Sequence, residues 1–213
     1  MNLLNRARSS LLAGQHGHPR GLVGRLLGEQ MVRQHIPETT WTLALLDLQP
    51  EDQVLEIGFG AGRAIEIAAA QVTNGHVFGI DLSQEMVRAA SRRNARTIKA
   101  GRVALQRGDV GTTLPFDDNQ FDKIFSIQTF YFWSDPPRVL AEIFRVLKPG
   151  GMLVITLSTG TIDTTEATGL ERYQQILEEQ VIPGMKQPGF RRAEIEQGPL
   201  SRQFKTTAVI GVK

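Results

Sequence analysis

Three glycines stand at alternate positions, Gly58, Gly60 and Gly62, directly after a short apolar run. The run from Gln53 to Ile57 is partly β-branched, which is typical of a buried strand. A helical pattern begins at once after the last glycine. A strand, a glycine turn and a helix together bring a ligand against bare backbone at a helix N-terminus. A tight turn without a ligand is the alternative interpretation, because a single glycine-rich turn is a weak signal.

Two carboxylates accompany this glycine turn. Glu56 directly precedes Ile57 and the first glycine, and Asp81 ends a second predicted strand, Val77 to Asp81. Asp81 lies 19 residues beyond Gly62 (81 minus 62). An acid at that distance can accept hydrogen bonds from both ribose hydroxyls of a cofactor that contains a nucleoside. The pair of strands therefore strengthens the case for a cofactor.

The spacing of the glycines and the acid before them help to choose that cofactor. Dinucleotide sites use G-x-G-x-x-G and place a pyrophosphate at the helix N-terminus, whereas this chain has G-x-G-x-G. A carboxylate such as Glu56 would repel a pyrophosphate but suits a ligand that carries a cation. S-adenosylmethionine has an ammonium and a sulfonium group and no phosphate. The residues therefore favour S-adenosylmethionine over a nicotinamide dinucleotide.

Further motifs follow in a fixed order between Trp41 and Ser158. They are Leu55–Gly62, Gly79–Ser83, Gly108–Val110, Leu114–Phe116, Phe121–Asp122 and Val146–Gly151. In this order they resemble the class I S-adenosylmethionine-dependent methyltransferases, specifically the small-molecule branch (methyltransferase type 11) that includes the ubiquinone and menaquinone C-methyltransferases. The resemblance implies that S-adenosylmethionine is the cofactor and S-adenosylhomocysteine the product. It says little about the methyl acceptor.

The resemblance also implies a role for each residue on the cofactor side. The glycines let the backbone approach the methionine moiety, Glu56 acts on that end through its charge, and Asp81 takes the ribose. Leu82 lies against the adenine, and the adenine amino group donates to Asp109. The predicted cofactor-binding residues are Glu56, Gly58, Gly60, Gly62, Asp81, Leu82, Met86, Asp109, Val110, Ser126 and Gln128. For Asp109, the cap of a local turn is an open alternative.

The predicted fourth strand, from Asp122 to Ile127, leads towards four consecutive aromatic residues, 130–133. In this class of fold ligands sit at the carboxyl ends of the strands, so the aromatics can wall an apolar acceptor pocket or offer a ring face to a cation. Packing in the core explains some of them equally well. Tyr131 is the predicted acceptor-facing catalytic residue. His18 is a second catalytic candidate, as a general base, if the N-terminal segment folds over the pocket; a structural or exposed histidine is its alternative.

Alternating strands and helices predict an α/β fold with a mostly parallel sheet covered on both faces. The resemblance implies a Rossmann-like sheet of seven strands with an antiparallel C-terminal strand. Residues 1–40 are predicted to form a helical arm or lid, and residues 41–213 the S-adenosylmethionine-binding domain. Thr40 is the expected N-cap of the first domain helix, and the stretch from Ser158 to Thr168 is expected to be a loop over the pocket.

Composition narrows the functional classes. The chain of 213 residues has 41% hydrophobic residues and no cysteine, which excludes disulfides, thiolate metal ligands and a cysteine nucleophile. It has no apolar run of about 18 residues, so no membrane span is expected, and a cytoplasmic location is predicted. No His, Asp and Glu spacing suggests a metal site.

Charge is nearly balanced at +2 but is unevenly distributed. The stretch from Arg88 to Arg107 contains six arginines, one lysine and no acid. A solvated helix face is one interpretation of this basic stripe, and a patch for RNA or an anionic partner is another. A methyltransferase for a small-molecule acceptor is the favoured function. An RNA or protein methyltransferase that uses the stripe, and a non-catalytic cofactor-binding module, are the alternatives.

Overall fold

The computed structural model describes residues 36–162, 169–201 and 203–213. The predicted N-terminal arm up to residue 35, including His18, lies outside these ranges, as do residues 163–168 of the predicted pocket loop.

The described residues form one seven-stranded sheet in the order β3-β2-β1-β4-β5-β7-β6. The first five strands are parallel, whereas β7 is antiparallel to both of its neighbours. The predicted fold class and its antiparallel C-terminal strand are confirmed. The strands are β1 Gln53–Ile57, β2 His76–Asp81, β3 Val103–Arg107, β4 Phe121–Ile127, β5 Leu147–Thr161, β6 Arg192–Gln197 and β7 Phe204–Val212.

Helices cover both faces of this sheet. Among the described residues, no helix is long and apolar enough to cross a membrane. The α-helices are α1 Ile36–Leu46, α2 Arg63–Gln71, α3 Gln84–Arg93, α4 Ala95–Lys99, α5 Pro136–Val146, α6 Glu171–Ile176 and α7 Ile182–Lys186. A 3-10 turn spans Phe130–Phe132, and a π-helical turn, Leu177–Val181, joins α6 to α7.

The two faces of the sheet carry separate apolar cores. Neighbouring residues of β1 illustrate the division, because Val54 packs with helices α1 to α3 and Leu55 packs with α5 and the α6–α7 segment. Both side chains are fully buried. Side chains of successive strand residues point to opposite faces, so a strand covered on both sides is apolar throughout. This explains why Val54, Leu55 and Ile57 of this strand are all apolar and buried.

The first helix starts earlier than expected. Helix α1 begins at Ile36, and Thr40 lies within it rather than at its N-cap, so the predicted cap is wrong. Pro37 stands in the first turn, where a missing N–H costs nothing, and Glu38 and Thr39 are buried against the rest of the domain. Tertiary packing thus extends the helix beyond the apolar pattern that predicted it.

The predicted loop from Ser158 is also partly wrong. Residues up to Thr161 belong to β5, where Ser158 pairs with Thr206 and Thr161 pairs with Phe204 of β7. Ser158 and Thr161 are buried. Hydroxyl-bearing residues suit a strand when a partner strand satisfies their backbone groups, and that partner lies more than 40 residues later in the sequence. Local composition therefore predicted a loop where pairing with a distant strand forms part of β5.

Arg145 of α5 braces the connection between β3 and β4. Its guanidinium donates to the carbonyls of Leu114 at 3.0 Å and Phe116 at 2.9 Å, and it pairs with Glu142 and Asp118. We expect Arg145→Met to lower the free energy of unfolding by about 1.5–3 kcal/mol, because both carbonyls lose a charged donor. Urea unfolding measures this loss. The exposed Arg138 of the same helix is the control, and equal effects of the two substitutions would contradict the bracing role.

Candidate active site

The glycine turn joins β1 to α2 at the carboxyl edge of the sheet. Gly58, Gly60 and Gly62 have φ values of 73°, 51° and 78°, a region that glycine enters without steric cost. A Cβ atom on Gly62 would lie 2.6 Å from the Cβ of Ala90 in α3, and one on Gly58 would overlap Thr129. A Cβ on Gly60 would meet no atom within 4 Å. The outer glycines therefore permit close packing of the protein, and the open space lies over Gly60.

Asp81 ends β2 beside this turn. Its Oδ2 accepts a hydrogen bond from the N–H of Gly60 at 2.9 Å, and its Oδ1 accepts one from the N–H of Ser83 at 2.8 Å. A carboxylate oxygen can accept more than one hydrogen bond, so both oxygens can also receive ribose hydroxyls. Asp81 thus fixes the turn and remains the predicted ribose ligand.

Glu56 lies beneath the turn, with only 3% of its surface exposed. The N–H of Ile65, at the start of α2, donates to its carboxyl group, while Oε2 has no hydrogen-bond partner. Burial, and next the charge of Asp81, raise the pKa of Glu56 to about 8. A buried oxygen without a partner is costly, and a cationic ligand group would satisfy it. The site therefore fits the ammonium-bearing end of S-adenosylmethionine.

The remaining predicted cofactor residues on this side follow β2 and β3. Leu82 is 45% exposed, whereas Met86 is buried in the first turn of α3. Asp109 is exposed, and its Oδ1 accepts a hydrogen bond from the N–H of Gly111 at 2.8 Å. This is the local turn that was the alternative for Asp109, and it leaves Oδ2 available for the adenine. Val110 is half-buried against the core.

Ser126 and Gln128 lie where β4 ends. Ser126 is fully buried and shares a hydrogen bond with Thr129, whose hydroxyl also reaches the carbonyl of Ile57. Gln128 has φ of 58°, an uncommon conformation for a residue with a side chain. Its side-chain Nε2 donates to Ser158 at 2.9 Å. Such strain persists where the surroundings enforce it and is frequent at functional sites.

The hydroxyl of Tyr131 lies in the same network. It is 2.6 Å from the N–H of Ser158, which donates to it, and 2.8 Å from Oε1 of Gln128. Burial raises the pKa of Tyr131 to about 12, so the phenolate is scarce at neutral pH. Tyr131 therefore remains the predicted acceptor-facing residue, suited to hydrogen bonding and poorly suited to act as a base.

A Tyr131→Phe substitution tests this role. We expect the turnover number to fall about 10-fold while the dissociation constant of S-adenosylmethionine stays within twofold, because only the hydroxyl is lost and one hydrogen bond contributes about 0.5–1.5 kcal/mol. Steady-state kinetics and calorimetry measure the two constants. A matched change in both constants would instead place Tyr131 on the cofactor side.

The four consecutive aromatic residues, 130–133, differ in their surroundings. Phe130 and Trp133 are buried in the core, and Phe132 is 60% exposed. Tyr131 packs edge-on against Tyr173 of α6, with ring centroids 4.7 Å apart. Tyr173 was not predicted, since no local pattern relates residues more than 40 positions apart. Ser158 was missed because its segment was assigned to a loop.

Large apolar side chains are exposed along the carboxyl edge of the sheet. Leu82, Phe132 and Ile162 follow β2, β4 and β5, and Leu200 follows β6, which runs in the same direction as β5. Ile36, which begins α1, is also exposed. These five are the exposed large apolar side chains of the described ranges, and we call them the apolar edge. No group of three potential metal ligands occurs within those ranges.

Comparison with known proteins agrees with this geometry. A family profile described as a methyltransferase domain matches residues 55–155. The chain is 29% identical over 171 residues to "Uncharacterized methyltransferase YdaC" of Bacillus subtilis, covering 80% of this chain and 89% of that protein. It is 33% identical over 135 residues to "Putative methyltransferase YrhH" of the same organism, covering 63% and 71% respectively.

A solved structure shares the fold. The S-adenosylmethionine-dependent methyltransferase of Aquifex aeolicus superposes with a TM-score of 0.68 at 21% identity, covering 88% of this chain and 97% of that one. The glycine turn and the buried acid beneath it are the features that these similarities lead one to expect. The chain belongs to the class I S-adenosylmethionine-dependent methyltransferases.

Proposed function

We propose that the protein methylates a small molecule with an apolar body. The observation that carries this proposal is the apolar edge, because four of its five exposed side chains follow strands at the carboxyl edge of the sheet, where ligands bind in this class of fold. Scattered exposed apolar residues need no explanation, but a concentration at one edge is typical of a binding site. Tyr131 and Tyr173 add aromatic surface at the same place.

The residues present would perform the transfer by positioning. When bound, S-adenosylmethionine supplies a methyl group on a positively charged sulfur. Asp81 would hold the nucleoside and Glu56 the charged end, which fixes the donor in one orientation. The polar network of Gln128, Tyr131 and Ser158 would orient the acceptor opposite it, and apolar side chains would exclude water. Alignment of two reactants in this way is a major source of rate acceleration.

Named relatives support a small acceptor. The chain is 36% identical over 113 residues to demethylmenaquinone methyltransferase of Symbiobacterium thermophilum, covering 53% of this chain and 45% of that protein. It is 36% identical over 135 residues to phosphoethanolamine N-methyltransferase of Triticum aestivum, covering 62% and 26%. One name refers to a quinone acceptor and the other to an amine acceptor. The relatives therefore support a small acceptor but do not choose between these chemistries.

The test is transfer of radioactive methyl from S-adenosylmethionine to a panel of phenols, amines, quinols and fatty acids. We expect at least one to be methylated, and Asp81→Ala to lower the rate at low donor concentration. Tight donor binding without turnover on the whole panel would instead favour a non-catalytic module, and would overturn the proposal.

A second candidate is methylation of RNA, favoured by one observation. Arg88, Arg92, Arg96 and Lys99 are exposed on α3 and α4, and none pairs with a carboxylate of the residues that the structure describes. Neighbouring Arg93, by contrast, donates to the carbonyl of Ala61. A short RNA should then bind with a steep salt dependence, and alanine at all four positions should abolish that binding.

A further inference from the structure

Two consecutive carbonyl groups of the glycine turn are held by side chains from the end of α3. Nδ2 of Asn94 donates to the carbonyl of Gly62 at 3.0 Å, and Nε of Arg93 donates to the carbonyl of Ala61 at 2.9 Å. Asn94 is the residue between α3 and α4 and lies 32 residues after Gly62. The shape of the turn therefore depends on a helix end that is distant in the sequence.

The amide of Asn94 leaves one of its own atoms unsatisfied. Nδ2 lies 3.0 Å from the carbonyl oxygens of both Gly62 and Ala90, so a donor is required at that position. Each of these carbonyls already accepts a backbone N–H, from Glu66 and from Asn94 itself. Asn94 is 3% exposed, and its Oδ1 has no hydrogen-bond partner among the residues that the structure describes. Since a buried oxygen without a partner is destabilising, this arrangement points to a role beyond folding.

The bonds from α3 fix the direction of the peptide groups that lead into α2. Gly62 is the N-cap of α2 and has a φ of 78°. A peptide group is planar and trans, so its N–H points away from its C=O. Holding the carbonyl of Gly62 against the end of α3 therefore turns the N–H of Arg63, the first residue of α2, away from α3.

The start of α2 suits both charges of an amino-acid group. The N–H groups of a first helical turn have no carbonyl partner within the helix and favour an anion. In α2, the N–H of Ile65 donates to the buried carboxyl group of Glu56. Donors for a carboxylate and an acceptor for an ammonium therefore lie within one helical turn. S-adenosylmethionine carries both of these charged groups at its methionine end.

We propose that Asn94 and Arg93 are positioning residues for the methionine end of S-adenosylmethionine. They act through the glycine turn, which they hold so that Glu56 and the start of α2 meet the ammonium and the carboxylate together. The nucleoside end depends on Asp81, whose own bond to α3 is at Ser83, at the opposite end of that helix. The assignment rests on donor binding at the glycine turn, as in the function proposed above, and is independent of the acceptor.

The test compares two ligands that share a nucleoside. S-adenosylhomocysteine has the amino-acid group, and 5′-methylthioadenosine lacks it. Asn94→Leu keeps the approximate shape of the side chain and removes the donor. We expect it to raise the dissociation constant of S-adenosylhomocysteine about 10-fold, because the hydrogen bond that orients the turn is lost. The dissociation constant of 5′-methylthioadenosine should stay within twofold. Calorimetric titration well below the melting temperature measures both constants without a contribution from unfolding.

A second variant decides the matter if Asn94→Leu fails to fold. Arg93→Met keeps the apolar stem of a part-exposed side chain and removes the donor to Ala61. We expect it to raise the dissociation constant of S-adenosylhomocysteine about 5-fold and to leave that of 5′-methylthioadenosine within twofold. Arg93 also lies 3.7 Å from Glu66. Glu66→Gln removes this ion pair without touching the carbonyls of the turn, and it should leave both constants unchanged.

Arg102→Met is the matched control. Arg102 donates to the carbonyl of Ala69 at 2.8 Å, near the C-terminal end of α2. The lost bond is therefore of the same kind as the bond from Arg93, but it is remote from the glycine turn. We expect Arg102→Met to lower the melting temperature without changing the affinity for either ligand.

Three outcomes would contradict the proposal. Equal weakening of both ligands by Asn94→Leu or Arg93→Met would show a structural role only and overturn it. Affinity for S-adenosylhomocysteine within twofold of the unmodified protein in Asn94→Leu, or in Arg93→Met where the former does not fold, would also overturn it. Binding of neither ligand by the unmodified protein would overturn both the positioning role and the donor site. Since binding needs no acceptor, failure of small-molecule methylation would leave this test intact.

Discussion

Replacing Asp81 by alanine is expected to weaken S-adenosylmethionine binding by about 10- to 100-fold. Two effects act together, because the predicted ribose ligand is lost and the N–H groups of Gly60 and Ser83 lose their acceptor. Loss of a charged hydrogen-bond partner costs about 1–3 kcal/mol. The glycine turn would then lose its anchor to β2, so the loss extends beyond the ribose contact itself.

Calorimetric titration measures this effect with S-adenosylmethionine and S-adenosylhomocysteine, with NADH as the comparison ligand. Asp117→Ala is the control, since Asp117 is exposed and belongs to the β3–β4 connection. We expect the control to bind both ligands normally. An unchanged affinity in Asp81→Ala would place the ribose elsewhere, and NADH binding comparable to that of S-adenosylmethionine would argue against the assignment of the turn.

Replacing Glu56 by glutamine is expected to stabilise the ligand-free protein at high pH. The pKa of Glu56 is raised from 4.5 to about 8 in the folded protein, chiefly by burial. Between these values the folded state holds a proton that the unfolded state has released, so stability falls as pH rises through this window. Glutamine mimics the protonated group and escapes that loss. The variant should be more stable by about 2–4 kcal/mol at pH 9 and nearly unchanged at pH 5.

Thermal unfolding at the two pH values measures the difference. Equal melting temperatures of the two proteins at pH 9 would show that Glu56 is not forced to ionise in a buried site. Glu51→Gln, which replaces an exposed acid just before β1, is the control, and its effect should not grow from pH 5 to pH 9.

The same substitution should weaken donor binding. The ammonium of S-adenosylmethionine favours the ionised form of Glu56, so binding should release a proton and become tighter as pH rises from 6 towards 8, where an α-ammonium itself begins to lose its proton. In Glu56→Gln the affinity should be lower and should lose this pH dependence. Titrations in buffers of different ionisation enthalpy detect the released proton directly. Absence of proton release would separate Glu56 from the charged end of the donor.

The sequence predicts that the cofactor-side residues lie together, because that part of the candidate site is local in the chain. Glu56 and the glycines are consecutive, and Asp81 follows in the next strand, so strand periodicity and turn chemistry suffice to place them at one edge. The parallel order of strands follows from the alternation of strands and helices for the same reason.

The acceptor half depends on contacts that span long distances in the chain. Tyr131 meets Ser158, which is 27 residues away, and Tyr173 of α6. No periodicity encodes such contacts. The left-handed backbone of Gln128 was also unpredictable, because local propensity favours glycine or asparagine in that conformation and only the surrounding structure overrides it.

The position of β7 has a consequence for synthesis of the protein. This strand is made after all the others, yet it lies between β5 and β6. On the ribosome, a nascent chain that has emerged only as far as residue 200 therefore exposes the free edge of β5, with its row of unsatisfied N–H and C=O groups. The predicted cofactor-binding residues have all been made at that stage, whereas Ser158 lacks its partner Thr206. Insertion of β7 therefore closes the edge of β5 as the last step in forming the sheet.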